Sequence, residues 1–447
     1  MSAEDADVSV GWGSFGGMFE SLFDIDEGAS QAELRAVVER CERLKSAAAA
    51  AQARATALWA AKRAAAEEAA GVPVRRRGKG LASEVALARR DAPVKGGQHL
   101  GFAKALVHEM PHTWAALECG ALSEWRATLI VRESACLSVE DRRRLDEELC
   151  ADVSTLEGWG NKRVEAEAKK IAARLDVAAV VERADKAAAQ ARVSCRPAPN
   201  GMVYFTVLLP LAQGIGMYAA LKHHADTTFD GRSRGQVMTD TAFERITGRS
   251  AGTAVPVALN LVMADTTLAG DDDCPGWLDG YGPVPAGFCR ALTGDAVADK
   301  GARATLRRLY RHPRSGQLVA MESRARIFPK GLATLIDRRD QTCRTPYCDA
   351  PIRHHDHATP DRAGGKTSAE NGLGECAACN YAKEAPGWQV SAGTQDGSHT
   401  ARWVTPTGAV HYSIAPTLPG PPVRRRISDT EGRLSIDLIT FDKPDAA

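Results

Sequence analysis

Four of the chain's eleven cysteines fall in two close pairs, Cys343-x4-Cys348 and Cys376-x2-Cys379. A tetrahedral zinc ion takes four ligands, at about 2.3 Å when they are thiolates, and two pairs brought together by a chain reversal supply them. Pro346 inside the first pair suits a tight turn, and Cys376 and Cys379 share one face at a helix start. Because cysteine fills all four positions, none stays open, so this Zn2+ is expected to hold structure rather than perform chemistry. The other seven cysteines (Cys41, Cys119, Cys136, Cys150, Cys195, Cys274, Cys289) are scattered singly and read as ordinary buried thiols in a reducing cytoplasm.

Between the pairs runs Arg353-His354-His355-Asp356-His357-Ala358-Thr359-Pro360, then Gly364-Gly365 and Asn371; Asn380 and Lys383 follow the second pair. A neutral imidazole can take a proton from water near neutral pH. The Asp356 carboxylate and the Asn380 amide offer hard oxygens of the kind Mg2+ or Mn2+ prefers. Lys383, three residues beyond Asn380 on the same helical face, is expected to meet a phosphate. Phosphodiester hydrolysis needs this set: a base for water, a metal on the scissile phosphate and help for the leaving oxygen. A zinc ribbon with solvent-facing histidines would account for Asp356-His357 alone, but not for the ordered set.

His357, Asn371 and Asn380, set among two cysteine pairs, resemble the HNH nucleases of ββα-metal fold, in the variant whose last letter is Asn. The resemblance implies His357 as general base and Asp356 and Asn380 as ligands of a catalytic Mg2+ or Mn2+. It also implies that Asn371 braces the loop that orients His357. Asn is a weaker, neutral ligand than His, which leaves the metal preference open. His355 is a candidate extra ligand, and His354 reads as a surface or supporting residue. Five further stretches resemble the thirteen-E-twelve repeat family, in which a helical domain of unknown function precedes an HNH domain. They are Pro111–Leu117, Leu122–Arg126, Arg232–Gln236, Gly280–Pro285 and Met321–Pro329. This resemblance covers most of 30–390 and leaves the helical domain's role open. Trp114 and Trp125 read as core residues, and Arg232 and Arg234 as solvated loop residues.

The elements that must carry these residues follow from pattern. A chain of 447 residues, 44% hydrophobic and 25% charged, has room for two or three domains. A formal charge of +1 means that any nucleic-acid surface is local. The acidic start, with Glu4, Asp5 and Asp7, does not read as a signal peptide. The longest uncharged run, 197–221, is interrupted by Pro210 and Gln213; it reads as a strand over 203–209 and a helix from Pro210, not a membrane span. Helices are expected over 31–70, opened by a Ser30-to-Glu33 capping box, and over 81–90, 101–110, 112–119, 123–134, 138–152, 161–191, 236–247 and 285–292. A strand is expected over 257–263, a loop over 271–285 and a short strand over 434–441.

The expected fold class is a mainly α N-terminal domain with a few strands (α+β), a small zinc-stabilised ββα-metal HNH domain and a partly disordered tail. The expected boundaries are a flexible N-terminus 1–30, helical domain 31–300, basic connector 301–334, HNH domain 335–390 and extension 391–447. Residues 303–330 hold eight Lys or Arg against one Glu, a net +7, whereas 335–388 sums to −1. The connector is therefore expected to supply most phosphate contacts to DNA, expected to be a duplex, with target sequence and strand preference left open. The expected activity is a metal-dependent endonuclease on DNA. The alternative is a zinc-containing DNA-binding or regulatory protein with a weak or silent nuclease site.

Overall fold

The computed structural model describes residues 25–252, 260–298, 328–395 and 397–420. The expectations for 1–24, for most of the basic connector, for the start of the 257–263 strand and for the 434–441 strand lie outside these residues, as do Met321–Ile327. The described chain is mostly helical with small sheets. It divides into two compact units, one of residues up to 86 together with 95–186, the other of 87–94 together with those from 187 onward.

The first unit is all helix: α1 (Gln31–Ala69), most of α2 (Leu81–Ala88), α3 (Gly96–Glu109), α4 (Pro111–Glu118), α5 (Glu124–Glu133), α6 (Val139–Cys150), α7 (Asn161–Leu175) and α8 (Val177–Ala188). Ser30 and Glu33 form the expected capping box. The alanine-rich α1 lays Ala49, Ala50 and Ala53 into a core of Leu106, Met110, Leu117, Leu122, Ile130 and Leu145. Small side chains there let neighbouring helices approach closely. Asp146, fully buried, accepts from the His112 and Thr113 amides at 2.8 Å and caps the start of α4.

Three expectations are corrected here. The single helix over 161–191 is two, because Asp176 turns extended and its carboxylate accepts from the Ala179 amide, capping α8. Trp125 is largely exposed rather than core, whereas Trp114 does pack against the core. Of the seven lone cysteines only Cys150 and Cys289 are buried; Cys119 and Cys195 are exposed.

The second unit opens with the hairpin β1 (Arg192–Ala198) and β2 (Met202–Leu208). Sequence reading missed β1, which carries two arginines and Pro197 and sits in a two-stranded hairpin where proline is tolerated. Asn200 and Gly201 both take positive φ in the three-residue connection Pro199–Gly201, as a tight hairpin turn of Asn-Gly type does. Helix α9 (Leu211–Asp226) follows, with Pro210 at its cap, then α10 (Arg234–Thr247). Arg232 pairs with Asp230 and Asp240, and Arg234 with Asp226, all on the surface.

The segment expected as a loop over 271–285 instead holds β4 (Gly276–Leu278) and β5 (Gly282–Val284), which join β3 (Leu261–Val262) in an antiparallel sheet. The short helix α11 (Asp265–Ala269) precedes β4, and α12 (Ala286–Ala298) follows β5. No helix among the described residues is long and apolar enough to cross a membrane.

Residues from 328 form the site-bearing part: α13 (Lys330–Asp340), β6 (His354–His357), β7 (Gly372–Glu375) and α14 (Ala377–Lys383). The antiparallel β6–β7 pairing sets His354 opposite Glu375 and His357 opposite Gly372. Beyond 388, where the sequence reading placed a partly disordered extension, residues up to 414 form a second sheet of β8 (Gln389–Gln395), β9 (Ser398–Val404) and β10 (Val410–Ile414). Its fully buried Trp403 shares a core with Ala358, Leu373 and Trp388. Its short alternating strands pack as one layer, which is why a Gly- and Thr-rich sequence becomes sheet.

Candidate metal and catalytic centre

The first cysteine pair lies on a tight knuckle. The Cys348 amide donates to Thr345 O at 3.0 Å, the Cys343 amide to Ala350 O at 2.9 Å, and Tyr347 takes a left-handed φ of 62°. The second pair opens α14, with Cys376 as its cap and Cys376 Sγ accepting from the Cys379 amide at 3.4 Å. All four thiols are buried, and their sulfurs lie within 4.8 Å of one another. Cys348 Sγ is 3.6 Å from Cys379 Sγ and 3.9 Å from Cys376 Sγ. A tetrahedral zinc with bonds near 2.3 Å sets sulfur–sulfur edges of about 3.8 Å, so the donor set and its spacing fit that ion. The thiol donors Cys348 and Cys379 hold the Cys343 thiol far below its usual value, and that first thiolate pushes both donors up. Four thiolates thus need a cation before they can share the space.

The cysteine knuckle is tied to its surroundings by residues that sequence reading passed over. Asp340, buried at the end of α13, accepts from Arg339, from Arg344 at 2.9 Å and from the Gly374 amide at 2.8 Å. Burial pushes Asp340 up, but the two guanidiniums outweigh it and hold the carboxyl below its usual value. Arg344 continues to Ser413 O at 2.7 Å and His399 O at 3.3 Å, tying the knuckle to the second sheet. The only sequence signal was an Arg-Arg-Asp run next to a knuckle arginine.

His357 is buried on β6. Its Nε2 lies 2.8 Å from Thr367 Oγ1, its Nδ1 lies 3.6 Å from Asp356 Oδ1, and the Phe328 ring stands 4.8 Å away. The loop from 358 to 371 is closed by Asn371, whose Oδ1 accepts from the Thr359 amide and whose Nδ2 donates to Thr359 O and Lys366 O, each at 2.9 Å. Asn371 therefore closes the loop that carries Thr367, the partner of His357. Gly365 is required there, since a Cβ would sit 1.7 Å from Thr359 O.

Strand alternation puts His354 and Asp356 on one face of β6 and His355 and His357 on the other. Helix α14 meets the first face. Asn380 Nδ2 lies 2.8 Å from His354 Nδ1, and Lys383 Nζ donates to Asp356 Oδ2 at 2.7 Å. Burial pushes the Asp356 carboxyl up, but the Lys383 ammonium outweighs it and lowers it.

Two assignments shift. His355, the candidate extra ligand, points to Asp337 at 2.7 Å, and it is His354 that stands beside Asn380. Lys383, expected to meet a phosphate, is buried among Asp356, Glu384 and Glu375. Among the described residues, the four cysteines are the one group of His, Cys, Asp and Glu side chains whose ligand atoms converge.

No protein-family model, curated protein or solved structure matches this chain.

Glu375 is the residue that sequence reading missed in this centre. It is fully buried on β7, and neither carboxylate oxygen has a hydrogen-bond partner. Burial pushes it well above the usual carboxylate range, with Lys383 pulling the other way. The available signal was a charged residue in the otherwise apolar strand Gly372-Leu373-Gly374-Glu375 just before a cysteine pair.

Proposed function

We propose that this chain is a metal-dependent endonuclease that hydrolyses DNA phosphodiester bonds through the unit of residues 343–383. One arrangement carries the reading. His357 has Nε2 engaged by Thr367 and turns Nδ1 toward Asp356, while Asn380 keeps an unpartnered buried Oδ1 on the neighbouring helix. In the tautomer that donates Nε2–H to Thr367, the lone pair lies on Nδ1, the nitrogen that can take a proton from water. Asp356 and Asn380 are the oxygen donors for Mg2+ or Mn2+, which would polarise the scissile phosphate and stabilise the charge on the leaving oxygen. Asn371 holds the loop so that His357 meets the attacking water in one orientation. The basic connector 303–330 would grip duplex DNA through its phosphates, since the 335–388 segment is nearly neutral.

The test is nicking of supercoiled plasmid in Mg2+ or Mn2+, with and without EDTA. EDTA should abolish it, and His357→Ala should lower it by about 10²- to 10⁴-fold with DNA binding intact. Wild-type nicking by His357→Ala would remove that residue from the mechanism. A second reading, a DNA-binding or regulatory zinc protein with a silent site, is favoured by Lys383 sitting on the Asp356 carboxylate. It would be established by duplex binding with no cleavage in either metal.

A further inference from the structure

At the end of α14 lies a cluster of charged side chains that do not balance. Lys383 Nζ stands 2.7 Å from Asp356, 2.9 Å from Glu384 and 3.8 Å from Glu375. Arg362 reaches Glu384 from the rim at 2.9 Å. Three carboxylates thus face two cations. The excess falls on Glu375, which is the fully buried one, and neither of its oxygens receives a hydrogen bond. An ionised carboxylate buried without partners is strongly unfavourable, and a protonated one would still bury an unpaired O–H. Asn380 Oδ1, on the turn of α14 next to Lys383, is likewise buried without a donor. The Glu375 and Asp356 carboxylates flank one ammonium, and the Glu375 and Asn380 oxygens are left without donors; hard oxygens of this kind are what a divalent cation such as Mg2+ or Mn2+ takes.

We propose that Glu375 is a third protein ligand, with Asp356 and Asn380, of a hard divalent cation, and that the Lys383 ammonium is the resident charge which that cation displaces. The inference rests on the reading above that Asp356 and Asn380 hold such an ion. Glu384 gives the displaced ammonium somewhere to go, because it already bonds Lys383 at 2.9 Å from the half-exposed rim. Lysine and metal thus compete for one set of carboxylates, neutralised by the ammonium when the metal is low and by the metal when it is high. A third oxygen ligand from a buried, fixed strand also compensates for the weak neutral Asn380.

The test is Mn2+ binding to the zinc-loaded full chain, followed by calorimetry and by loss of the free Mn2+ electron-paramagnetic-resonance signal. Glu375→Gln should bind Mn2+ at least about ten-fold more weakly than wild type while retaining its zinc. Lys383→Met, which removes the competitor, should bind Mn2+ more tightly than wild type. The second variant decides the matter if Glu375→Gln does not fold. Affinity in Glu375→Gln equal to wild type, with Asp356→Asn having lost binding, overturns the role of Glu375. Weaker binding by Lys383→Met overturns the competition. Nicking reports separately on the nuclease reading: EDTA-sensitive nicking with Mn2+ affinity indifferent to Glu375 sinks this inference alone. Glu375-dependent Mn2+ binding without nicking sinks the nuclease reading alone.

Discussion

Lys383 Nζ donates to Asp356 Oδ2 across 2.7 Å, from a lysine side chain that is 2% exposed. A lysine so placed is fixed by its carboxylate partners. Burial pushes its ammonium down, but Glu375, Asp356 and Glu384 outweigh that and raise it. Lys383→Met therefore leaves buried carboxylates unpaired and should destabilise the metal-free protein by about 3–5 kcal/mol. Thermal unfolding with and without Mn2+ checks this, and the ion should restore much of the loss. A melting temperature unchanged in chelator would show that Lys383 is not the counter-charge.

The cysteine cluster should carry one zinc per chain, read by elemental analysis. Cys343→Ala or Cys379→Ala should lose the metal and the folded state of the site-bearing part, because metal binding supplies much of its folding free energy. Near-ultraviolet circular dichroism of Trp388 and Trp403, buried in that part, gives the structural readout. Protein purified without chelator and free of zinc would overturn the assignment.

Asn371→Ala removes three side-chain hydrogen bonds that close the loop carrying Thr367. At about 0.5–1.5 kcal/mol each, the loss should total roughly 2–4 kcal/mol. Urea midpoints measure it, and nicking should fall with the zinc content unchanged, because His357 loses its orienting partner before the cysteine cluster is touched.

Burial, with the charges of Arg339 and Arg344 beside it, pulls the His399 imidazole down to about 4. The folded state thus binds its proton less readily than the unfolded chain, whose histidine titrates near about 6.5. The stabilisation is fully present above that value and is lost as pH falls toward 4, on the order of 3 kcal/mol in all. His399→Gln should flatten the decline of unfolding free energy between pH 7 and 5 relative to wild type. Parallel pH curves for the two proteins would remove His399 from the account.

Local chemistry was legible in the sequence where it is carried by neighbours along the chain. Two cysteine pairs at x4 and x2 spacing suffice to form a tetrahedral donor set, and the Ser30–Glu33 box suffices to start a helix. The Asn371 brace was pointed to by the family resemblance alone, and the structure shows the side chain closing that loop. What required the tertiary structure is every relation set by strand alternation and by packing of distant segments. The antiparallel register of β6 with β7 and the packing of α14 on one face decided that His354, not His355, meets Asn380, and that Glu375 lies near Lys383. The sheet of residues 389–414 had no strong period of its own. It is held by Arg344, which Asp340 fixes and which donates to Ser413 O and His399 O on its strands, and by Trp403, which finds a core. A charge's partner, and so whether Lys383 meets a phosphate or a carboxylate, depends on distances that no linear spacing encodes.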